Sequence, residues 1–280
     1  MNDITFTHQY PRVLSIAGSD SGGGAGIQAD LKTFSALGCY GMTAVTALTA
    51  QNTLGVQAIH GVPAAFLKTQ LKSVLDDIGV DAVKIGMLHS PDVVEVVAWA
   101  IDHYHLKHVV LDPVMVATSG DRLIAQETVA TLVRDLFPRA SVITPNLDEA
   151  GMLLGQTLHS IGQLEGAAQA LLAMGAQAVL LKGGHLAGED VVDVLLHESQ
   201  PAQHFAAKRI ASDNVHGTGC TLSSAIAVGL AQGLGLSAAV AQARAYILKA
   251  IAAGASVRTG HGHGPLNHGH QPIATMLLTA

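Results

Sequence analysis

The segment His216-Gly-Thr-Gly-Cys-Thr221 contains the residue types that can hold a phosphoryl group. It precedes a long stretch rich in alanine and leucine, which is typical of a helix. The unpaired N–H groups at a helix N-terminus, strengthened by the helix dipole, form an anion site, and glycines let the backbone wrap around a phosphate. An ordinary N-cap by Thr218 is the alternative interpretation. The two glycines and the hydroxyl donors of Thr218 and Thr221 favour an anion hole.

Cys220 lies inside this predicted anion hole. A helix N-terminus lowers the pKa of a thiol and makes the sulfur a better base or nucleophile. A buried structural cysteine without any chemical role is equally common. The sequence alone leaves both interpretations of Cys220 open.

Asn146 and Glu149 stand three residues apart in the segment Thr144-Pro-Asn-Leu-Asp-Glu149, so both side chains face one side of a predicted helix start. They could position Mg²⁺ through water molecules, because Mg²⁺ in proteins usually keeps several waters. The same spacing is close to a capping box, in which the two side chains satisfy N–H groups of the helix start. Both interpretations stay open.

A glycine-rich loop, Gly18-Ser-Asp-Ser-Gly-Gly-Gly-Ala-Gly26, joins the first predicted strand to the first predicted helix. Loops at this place bind ligands in α/β proteins, although a flexible turn is the alternative. The loop formally matches the dinucleotide fingerprint G-x-G-x-x-A, but no acidic residue lies between Lys32 and Asp76 to hold a ribose. A Walker A motif is excluded as well, because no lysine directly follows a glycine.

The segment of residues 260–270 contains four histidines among glycines. Histidine-rich tracts of this kind suggest metal binding. No cysteine or acidic residue joins the histidines, so we favour a loop without a metal ion.

Composition excludes several classes of function. The net charge is −6 and no basic stripe is present, which gives nucleic-acid binding little support. Two cysteines do not suggest a disulfide framework, and residues 1–11 lack the pattern of a signal peptide. The most apolar stretch, residues 222–236, is shorter than a membrane span and contains Gln232. We therefore expect a cytoplasmic protein that binds neither nucleic acid nor membrane.

Apolar runs alternate with helical patterns along the 280 residues, and aromatic residues make up only 4% of them. This alternation predicts a parallel sheet with helices on both faces, in one domain with terminal tails at 1–11 and 271–280. Strands are predicted over residues 13–17, 42–50, 82–85, 108–111, 141–144 and 178–181, with a late antiparallel hairpin of 191–197 and 203–208. Helices are predicted over residues 27–37, 92–103, 127–136, 164–174, 218–232 and 237–253.

Polar side chains follow several of these predicted strands. Ligands of open α/β sheets bind beyond the carboxyl ends of the strands. Asp112 and Lys182 are the most suggestive, since each closes an apolar run with a charge. We expect one cluster at this edge, formed by Ser19, Asp20, Gln51, Lys84, Asp112, Thr144, Asn146 and Lys182.

Taken together, these motifs resemble the hydroxymethylpyrimidine/phosphomethylpyrimidine kinases, a family of the ribokinase-like superfamily. The resemblance extends from about residue 12 to residue 268 and is specific because many motifs coincide. The segments that carry it are residues 18–32, 50–53, 84–87, 111–115, 144–149, 181–185, 216–221 and 260–265.

This resemblance implies a ribokinase-like three-layer α/β/α sandwich with a mostly parallel central sheet. It also implies ATP-dependent phosphorylation of the aminopyrimidine 4-amino-5-hydroxymethyl-2-methylpyrimidine to its monophosphate and then its diphosphate, with Mg²⁺, in thiamin biosynthesis or salvage. A homodimer is a further implication. Pyridoxal kinase activity on the same fold and a non-catalytic pyrimidine sensor are the rival functions.

The resemblance also implies roles for individual residues. A primary amide offers a donor and an acceptor, which suits Gln51 for the edge of an aminopyrimidine. The roles are substrate binding by Gln51, Asp30 and Gly18; catalysis by an anion hole of Gly217, Gly219 and Cys220; ATP binding by Lys182, Thr218 and Asn146; and magnesium binding by Asp112 and Glu149.

Cys220 stands where much of the superfamily has a catalytic aspartate. This departure puts strong general-base catalysis in doubt. It is tolerable, because a phosphoryl-transfer transition state is loose and depends mainly on positioning and charge. We interpret Cys220 as a weak base or an orienting group for the hydroxyl step.

Overall fold

A computed structural model of the chain describes residues 7–115, 124–198 and 200–279. The strands are β1 (His8–Gln9), β2 (Arg12–Asp20), β3 (Tyr40–Asn52), β4 (Gly55–Gly61), β5 (Ala82–Ile85), β6 (Val109–Leu111), β7 (Val142–Ile143), β8 (Ala178–Leu181), β9 (Asp190–His197), β10 (Gln203–Lys208) and β11 (Leu278–Thr279). The helices are α1 (Gly26–Ala36), α2 (Ala64–Leu75), α3 (Pro91–Tyr104), α4 (Gln126–Leu136), α5 (Leu147–Leu154), α6 (Leu164–Leu172), α7 (Thr218–Ala231) and α8 (Leu236–Gly254).

The central sheet has nine strands in the order β10-β9-β8-β7-β6-β5-β2-β3-β4. The inner strands from β8 to β3 run parallel to one another, and antiparallel pairs extend the sheet at both ends. The predicted mostly parallel sheet is therefore confirmed. The carboxyl ends of the parallel strands meet at one edge, where the predicted site residues lie.

Helices cover both faces of the sheet and form three layers. Successive side chains of a strand point to opposite faces, so Leu14 and Leu111 pack under α2–α6. Their neighbours Val13 and Val110 pack under α1, α7 and α8. Each face thus has its own apolar core, and the predicted α/β/α sandwich is confirmed. None of the described helices combines the length and the apolar character that a membrane span needs.

Several elements differ from the sequence prediction. The sequence analysis missed β4, which pairs with β3 in a hairpin, and it missed α2. The late hairpin is confirmed as β9 and β10. Inside the ranges predicted as tails, β1 pairs with β11. The assignment of one domain with tails stays a prediction.

The glycine-rich loop between β2 and α1 wraps around the carboxylate of Asp20. This carboxylate accepts hydrogen bonds from the N–H groups of Gly22, Gly24 and Ala25, at 2.8–3.0 Å, and lies 3.0 Å from Nε2 of His216. Burial opposes the charge of Asp20, but His216 and the N–H groups outweigh it and lower the pKa of this carboxyl. The N–H groups of this loop were expected to approach a ligand. For Gly22, Gly24 and Ala25 this expectation is wrong, because their N–H groups donate to Asp20.

A buried ion pair lies beneath the helices α1 and α7. Nζ of Lys84, on β5, is 2.9 Å from Oδ1 and 3.0 Å from Oδ2 of Asp30, on α1, and neither side chain has any exposed surface. The hydroxyls of Ser15 on β2 and Ser224 on α7 donate to the same carboxylate, at 2.6 Å and 2.7 Å. Burial opposes the charge of Lys84, but Asp30 raises its pKa above the ordinary value. This cluster joins two strands and two helices.

Replacing Asp30 tests how much this cluster stabilises the fold. Removing one partner of a buried ion pair leaves an uncompensated charge, so Asp30→Asn should lower the free energy of unfolding by about 3–5 kcal/mol. Urea denaturation followed by circular dichroism measures the change. Glu95→Gln is the control, because Glu95 and Arg134 are 3.9 Å apart with both side chains more than 60% exposed. The control should change stability by less than about 1 kcal/mol, and equal losses in the two variants would contradict the structural role of Asp30.

Candidate active site

A cleft of about 630 Å³ lies at the carboxyl ends of the parallel strands. Its volume is in the range of small-molecule sites, which span roughly 300–1,000 Å³. The residues to which the resemblance assigns roles line this cleft, except Asp30: Gly18, Gln51, Asp112, Asn146, Glu149, Lys182, Gly217, Thr218, Gly219 and Cys220. Thr144, expected in the same cluster, is buried behind Asp112 and does not line the cleft. The structure therefore brings together residues that are far apart in the sequence.

The helix α7 begins at this cleft because of Gly217. Gly217 is the N-cap and has a φ of 85°, in the left-handed region that favours glycine. A Cβ at this position would lie 1.9 Å from the carbonyl oxygen of Gly24, so no larger residue fits. This contact brings the N-termini of α7 and α1 side by side.

The first turn of α7 presents unpaired N–H groups. The N–H groups of Thr218 and Thr221 donate to the carbonyls of Val215 and Gly217. Within the described part of the chain, no hydrogen bond uses the N–H groups of Gly219 and Cys220. A helix N-terminus with unpaired N–H groups attracts anions. Gly219 and Cys220 are the second and third residues of α7, so the geometry supports the predicted anion hole at these two residues.

Lys182 and Asp112 lie directly beside this helix start. Nζ of Lys182 is 2.9 Å from Oδ1 of Asp112, which also accepts a hydrogen bond of 2.9 Å from Thr144. A Cβ on Gly219 would lie 3.2 Å from Nζ of Lys182 and 3.4 Å from Oδ2 of Asp112. Burial opposes the charge of Lys182, but Asp112 and Glu149 raise its pKa. A firmly protonated amine therefore stands next to the unpaired N–H groups.

The open question about Asn146 and Glu149 has a structural answer, because both halves of a capping box are present. Oδ1 of Asn146 accepts from the N–H of Glu149 at 2.9 Å, and Oε2 of Glu149 accepts from the N–H of Asn146 at 2.8 Å. Glu149 also lines the cleft although it is almost fully buried. Burial, helped by the Asp112 charge, raises the pKa of the Glu149 carboxyl to about 7 against the opposing charge of Lys182.

The acidic residues of the cleft suit a hard cation. Asp112 and Glu149 are two of the carboxylates that line the cleft, and within the described ranges Oδ2 of Asp112 accepts one long hydrogen bond, of 3.4 Å from Ser223. Among the described residues, no group of three or more His, Cys, Asp or Glu side chains converges to hold a metal ion. Mg²⁺ is typically held by one or two carboxylates, with phosphate and water completing its shell. The donor set therefore fits Mg²⁺ that arrives with a phosphorylated ligand.

The pKa of Cys220 differs from what its place at a helix N-terminus suggests. Burial raises the pKa of this thiol, and the opposing charge of Lys84 does not outweigh burial. Asp30 and Asp112 add to the rise, while the N–H of Gly26 stabilises the sulfur charge. Of the two interpretations that the sequence left open, the structure favours a buried thiol over one with a lowered pKa, because burial outweighs the effects of Lys84 and the Gly26 N–H.

Asp30 does not take the position that the sequence analysis gave it. Its carboxylate is fully buried and is not among the residues that line the cleft. Lys84, Ser15 and Ser224 occupy it. The expectation of direct substrate contact by Asp30 is not supported by this geometry, whereas its partner Lys84 does line the cleft.

Gln51 lies on β3 and Lys182 directly follows β8, and these are the two outermost of the parallel strands. The register of β3 against β4 shifts between Ala50 and Gln51, and such bulges redirect a side chain. Oε1 of Gln51 accepts a hydrogen bond of 2.9 Å from Thr49, and its Nε2 is 3.4 Å from Nε2 of His216. Since a primary amide has four hydrogen-bonding positions, these contacts leave an acceptor and a donor for a ligand.

The sequence indicated no role for His216, and Asp20 was expected only as one of the polar residues at the ends of the strands. In the structure, His216 contacts both Asp20 and Gln51, at 3.0 Å and 3.4 Å. An available signal was the pattern of Asp20 followed by glycines, because an aspartate side chain commonly accepts from the N–H two residues on. No local pattern could reveal a contact between residues 51 and 216.

The histidine-rich segment contacts the rest of the protein through separate partners. Nε2 of His268 is 2.9 Å from Oγ1 of Thr221, in the first turn of α7. Nδ1 of His263 is 3.3 Å from the carbonyl oxygen of Asp213. Burial lowers the pKa of His268 to about 4, so this side chain is uncharged near neutral pH.

Comparisons with known proteins agree with this geometry. Residues 20–267 match the family model of phosphomethylpyrimidine kinase. A hydroxymethylpyrimidine/phosphomethylpyrimidine kinase of Rhizobium meliloti is 49% identical, over 92% of this chain and 97% of that protein. A thiamine biosynthesis bifunctional protein of Geobacter sulfurreducens is 51% identical over 92% of this chain, and the chain spans about half of that relative, 53% of its length.

The solved structures show the same fold. The ADP complex of a Bacillus subtilis pyridoxal kinase superimposes with a TM-score of 0.86 at 39% identity, over 93% of this chain and 98% of that one. The predicted ribokinase-like fold is thereby confirmed. With a family model that matches most of the chain and relatives near 50% identity, the chain belongs to the phosphomethylpyrimidine kinase family.

Proposed function

We propose that this protein is an ATP-dependent kinase of the thiamin pathway that phosphorylates 4-amino-5-hydroxymethyl-2-methylpyrimidine to its monophosphate and then to its diphosphate. One observation carries the proposal: the unpaired N–H groups of Gly219 and Cys220 lie in one cleft between Lys182 and Gln51. An anion site between a cation and an amide supports transfer of a phosphoryl group to a small polar acceptor.

The phosphate end of the cleft would bind ATP. Lys182 is held by Asp112 against the start of α7, so its charge can contact the phosphates of the nucleotide. Asn146 and Thr218 line the same part of the cleft. Asp112 and Glu149 would hold Mg²⁺, which when bound supplies positive charge to the phosphate oxygens. These residues act by position and charge, as a loose transition state requires.

The acceptor end would bind the aminopyrimidine. Gln51 keeps a donor and an acceptor that match a ring nitrogen beside an exocyclic amine. Gly18 lines the same end, where β2 has a register shift against β3. The acceptor hydroxyl would then attack the terminal phosphorus of ATP, the bond from that phosphorus to ADP would break, and the hydroxyl proton would pass to an oxygen of the transferred phosphoryl group.

Cys220 would orient the hydroxyl in the first step. Because burial raises its pKa, the thiol is a poor base at neutral pH and serves better as a hydrogen-bonding group. In the second step the acceptor is already a phosphate and needs little deprotonation. The two steps therefore place different demands on Cys220.

Phosphorylation of pyridoxal is a second candidate activity, and the fold likeness to a pyridoxal kinase supports it. The release of ADP from ATP and Mg²⁺ tests both candidates, with hydroxymethylpyrimidine, its monophosphate and pyridoxal offered separately. Turnover on both pyrimidines with little on pyridoxal supports the proposed function. Turnover on pyridoxal alone would show that pyridoxal, and not the pyrimidine, is the substrate. Binding of the pyrimidine without any turnover would favour a sensor.

We also propose a homodimer that covers the edge of the sheet at β4. Large apolar side chains stand out from this region, with Leu48, Ile59 and Phe66 between 43% and 60% exposed. Exposed edge strands with apolar side chains favour association. Light scattering after size-exclusion chromatography should give the mass of two chains, and the mass of one chain would contradict the dimer.

A cytoplasmic location belongs to the same proposal. Cys39 and Cys220 are both free thiols, as is usual in a reducing compartment, and the ATP donor is available there. Cell fractionation with an antibody against the protein checks the location, and recovery outside the cytoplasmic fraction would contradict it.

The variant Gln51→Leu should weaken pyrimidine binding selectively. Losing the amide leaves polar edges of the pyrimidine without partners, so KM for the pyrimidine should rise by about 10- to 100-fold. KM for ATP should change little, because Lys182 follows β8, which four strands separate from the β3 strand of Gln51. Steady-state kinetics with each substrate varied in turn give both values. Gln177→Leu, at an exposed position, is the matched control, and equal losses for ATP and pyrimidine would contradict the role of Gln51.

The variant Cys220→Ala should separate the two phosphorylation steps. Because the hydroxyl loses its orienting group, we expect kcat for the hydroxymethyl substrate to fall by roughly 10²-fold, and kcat for the monophosphate to fall by less than about tenfold. Single-turnover assays on each acceptor measure the two rates. Equal losses on both acceptors would show that Cys220 maintains the anion hole and has no special function in the hydroxyl step.

A further inference from the structure

The loop that follows α8, residues 255–265, connects the two parts of the proposed substrate site. This C-terminal loop contains the glycines and two of the histidines that drew attention in the sequence. Its middle, at His261 and Gly262, contacts the tip of the β3–β4 hairpin, two residues after Gln51. Its end, at Pro265, runs beside His216, directly before the anion hole.

The contact with the hairpin is made through Thr53. Oγ1 of Thr53 accepts hydrogen bonds from the N–H groups of His261 and Gly262, both at 3.2 Å. The two backbones lie so close that a Cβ on Gly262 would be 2.0 Å from the carbonyl oxygen of Thr53. Only glycine permits this approach, so the loop needs Gly262 at the point where it packs against the hairpin tip.

The contact with the anion hole is made through residues 214–216. Nδ2 of Asn214 donates to the carbonyl oxygens of Gly254 and Val257, at 2.7 Å and 2.6 Å, at the start of the loop. The N–H of His216 donates to the carbonyl oxygen of Gly264 at 3.1 Å, and His216 forms a parallel bridge with Pro265. The loop is therefore fixed at both ends to the segment that leads into Gly217.

The loop supplies a further link between these segments, which also meet through Ser21, bonded to the Gln51 backbone at 2.8 Å, and Asp20, 3.0 Å from His216. The direct contact of Gln51 with His216 is a single distance of 3.4 Å between nitrogen atoms. We propose that Thr53, through the C-terminal loop, is a positioning residue that sets the distance between Gln51 and the anion hole. This inference rests on the proposed function for its kinetic consequence, but its structural part does not depend on which substrate is phosphorylated.

The test compares Thr53→Val, which removes the acceptor oxygen and keeps the shape, with Thr53→Ser, which keeps the oxygen. In Thr53→Val, KM for hydroxymethylpyrimidine should rise roughly fivefold to tenfold, with KM for ATP and kcat nearly unchanged. Thr53→Ser should restore the wild-type KM. Thr69→Val is the control, because the Thr69 hydroxyl donates to Ala65 within α2, away from the cleft.

Hydrogen–deuterium exchange gives a readout that is independent of turnover. Thr53→Val should speed exchange at residues 261 and 262 and at the hairpin tip, while exchange in α6 stays unchanged. Gly262→Ala should have the same effect through displacement of Thr53, and Gly166→Ala is its control, since a Cβ on Gly166 meets nothing within 4 Å.

The outcomes separate this inference from the proposed function. Wild-type turnover on the pyrimidine, with Thr53→Val equal to wild type in KM and in exchange, would overturn the positioning role. A parallel change of KM for both substrates and kcat would also overturn it, since that pattern indicates general loss of structure. No wild-type turnover on the pyrimidine would refute the proposed function, and the exchange data would still decide whether Thr53 holds the loop.

Discussion

The buried ion pair between Lys84 and Asp30 is the constraint on which the active-site geometry depends. Two charges without exposed surface are stable only when each is paired and hydrogen-bonded, and the hydroxyls of Ser15 and Ser224 complete the pairing. Satisfying that pair fixes α1 and α7 against β2 and β5. Both helices then begin at the carboxyl edge of the sheet, where Gly217 packs on Gly24. The position of the anion hole therefore follows from the way in which the buried pair of Lys84 and Asp30 is held between the sheet and the two helices.

Local charge, rather than net charge, explains how a chain with a net charge of −6 can attract phosphates. Lys182 and the N-terminus of α7 supply positive potential where the side chains of Lys182 and Asp112 are largely buried, which strengthens their electrostatic effect. Asp112 keeps Lys182 in place, and its remaining oxygen is suited to a cation. In such a site a strong general base is dispensable, which agrees with the raised pKa of Cys220. Positioning then becomes the main requirement, and the glycine loops and the C-terminal loop provide it.

The sequence predicted the sandwich and most of the cleft, because buried parallel strands are continuous apolar runs that end in polar residues. It failed where the signal is weak or non-local. The edge strand β4 is mostly exposed and shows no apolar alternation, whereas the Leu67, Leu71 and Leu75 spacing of α2 was a readable helix signal that was missed. Asp30 looked like a ligand residue because of its place in a motif, but its pairing with Lys84, 54 residues away, became visible only in three dimensions.

The central claim is that one cleft performs two successive phosphoryl transfers, first to a hydroxyl and then to the phosphate so formed. A ³¹P NMR time course with limiting hydroxymethylpyrimidine, excess ATP and Mg²⁺ follows both products in a single sample. We expect the pyrimidine monophosphate resonance to rise first and then decline while the two coupled resonances of the diphosphate grow. A monophosphate that accumulates without conversion, or spectra that show only unchanged ATP, would contradict it.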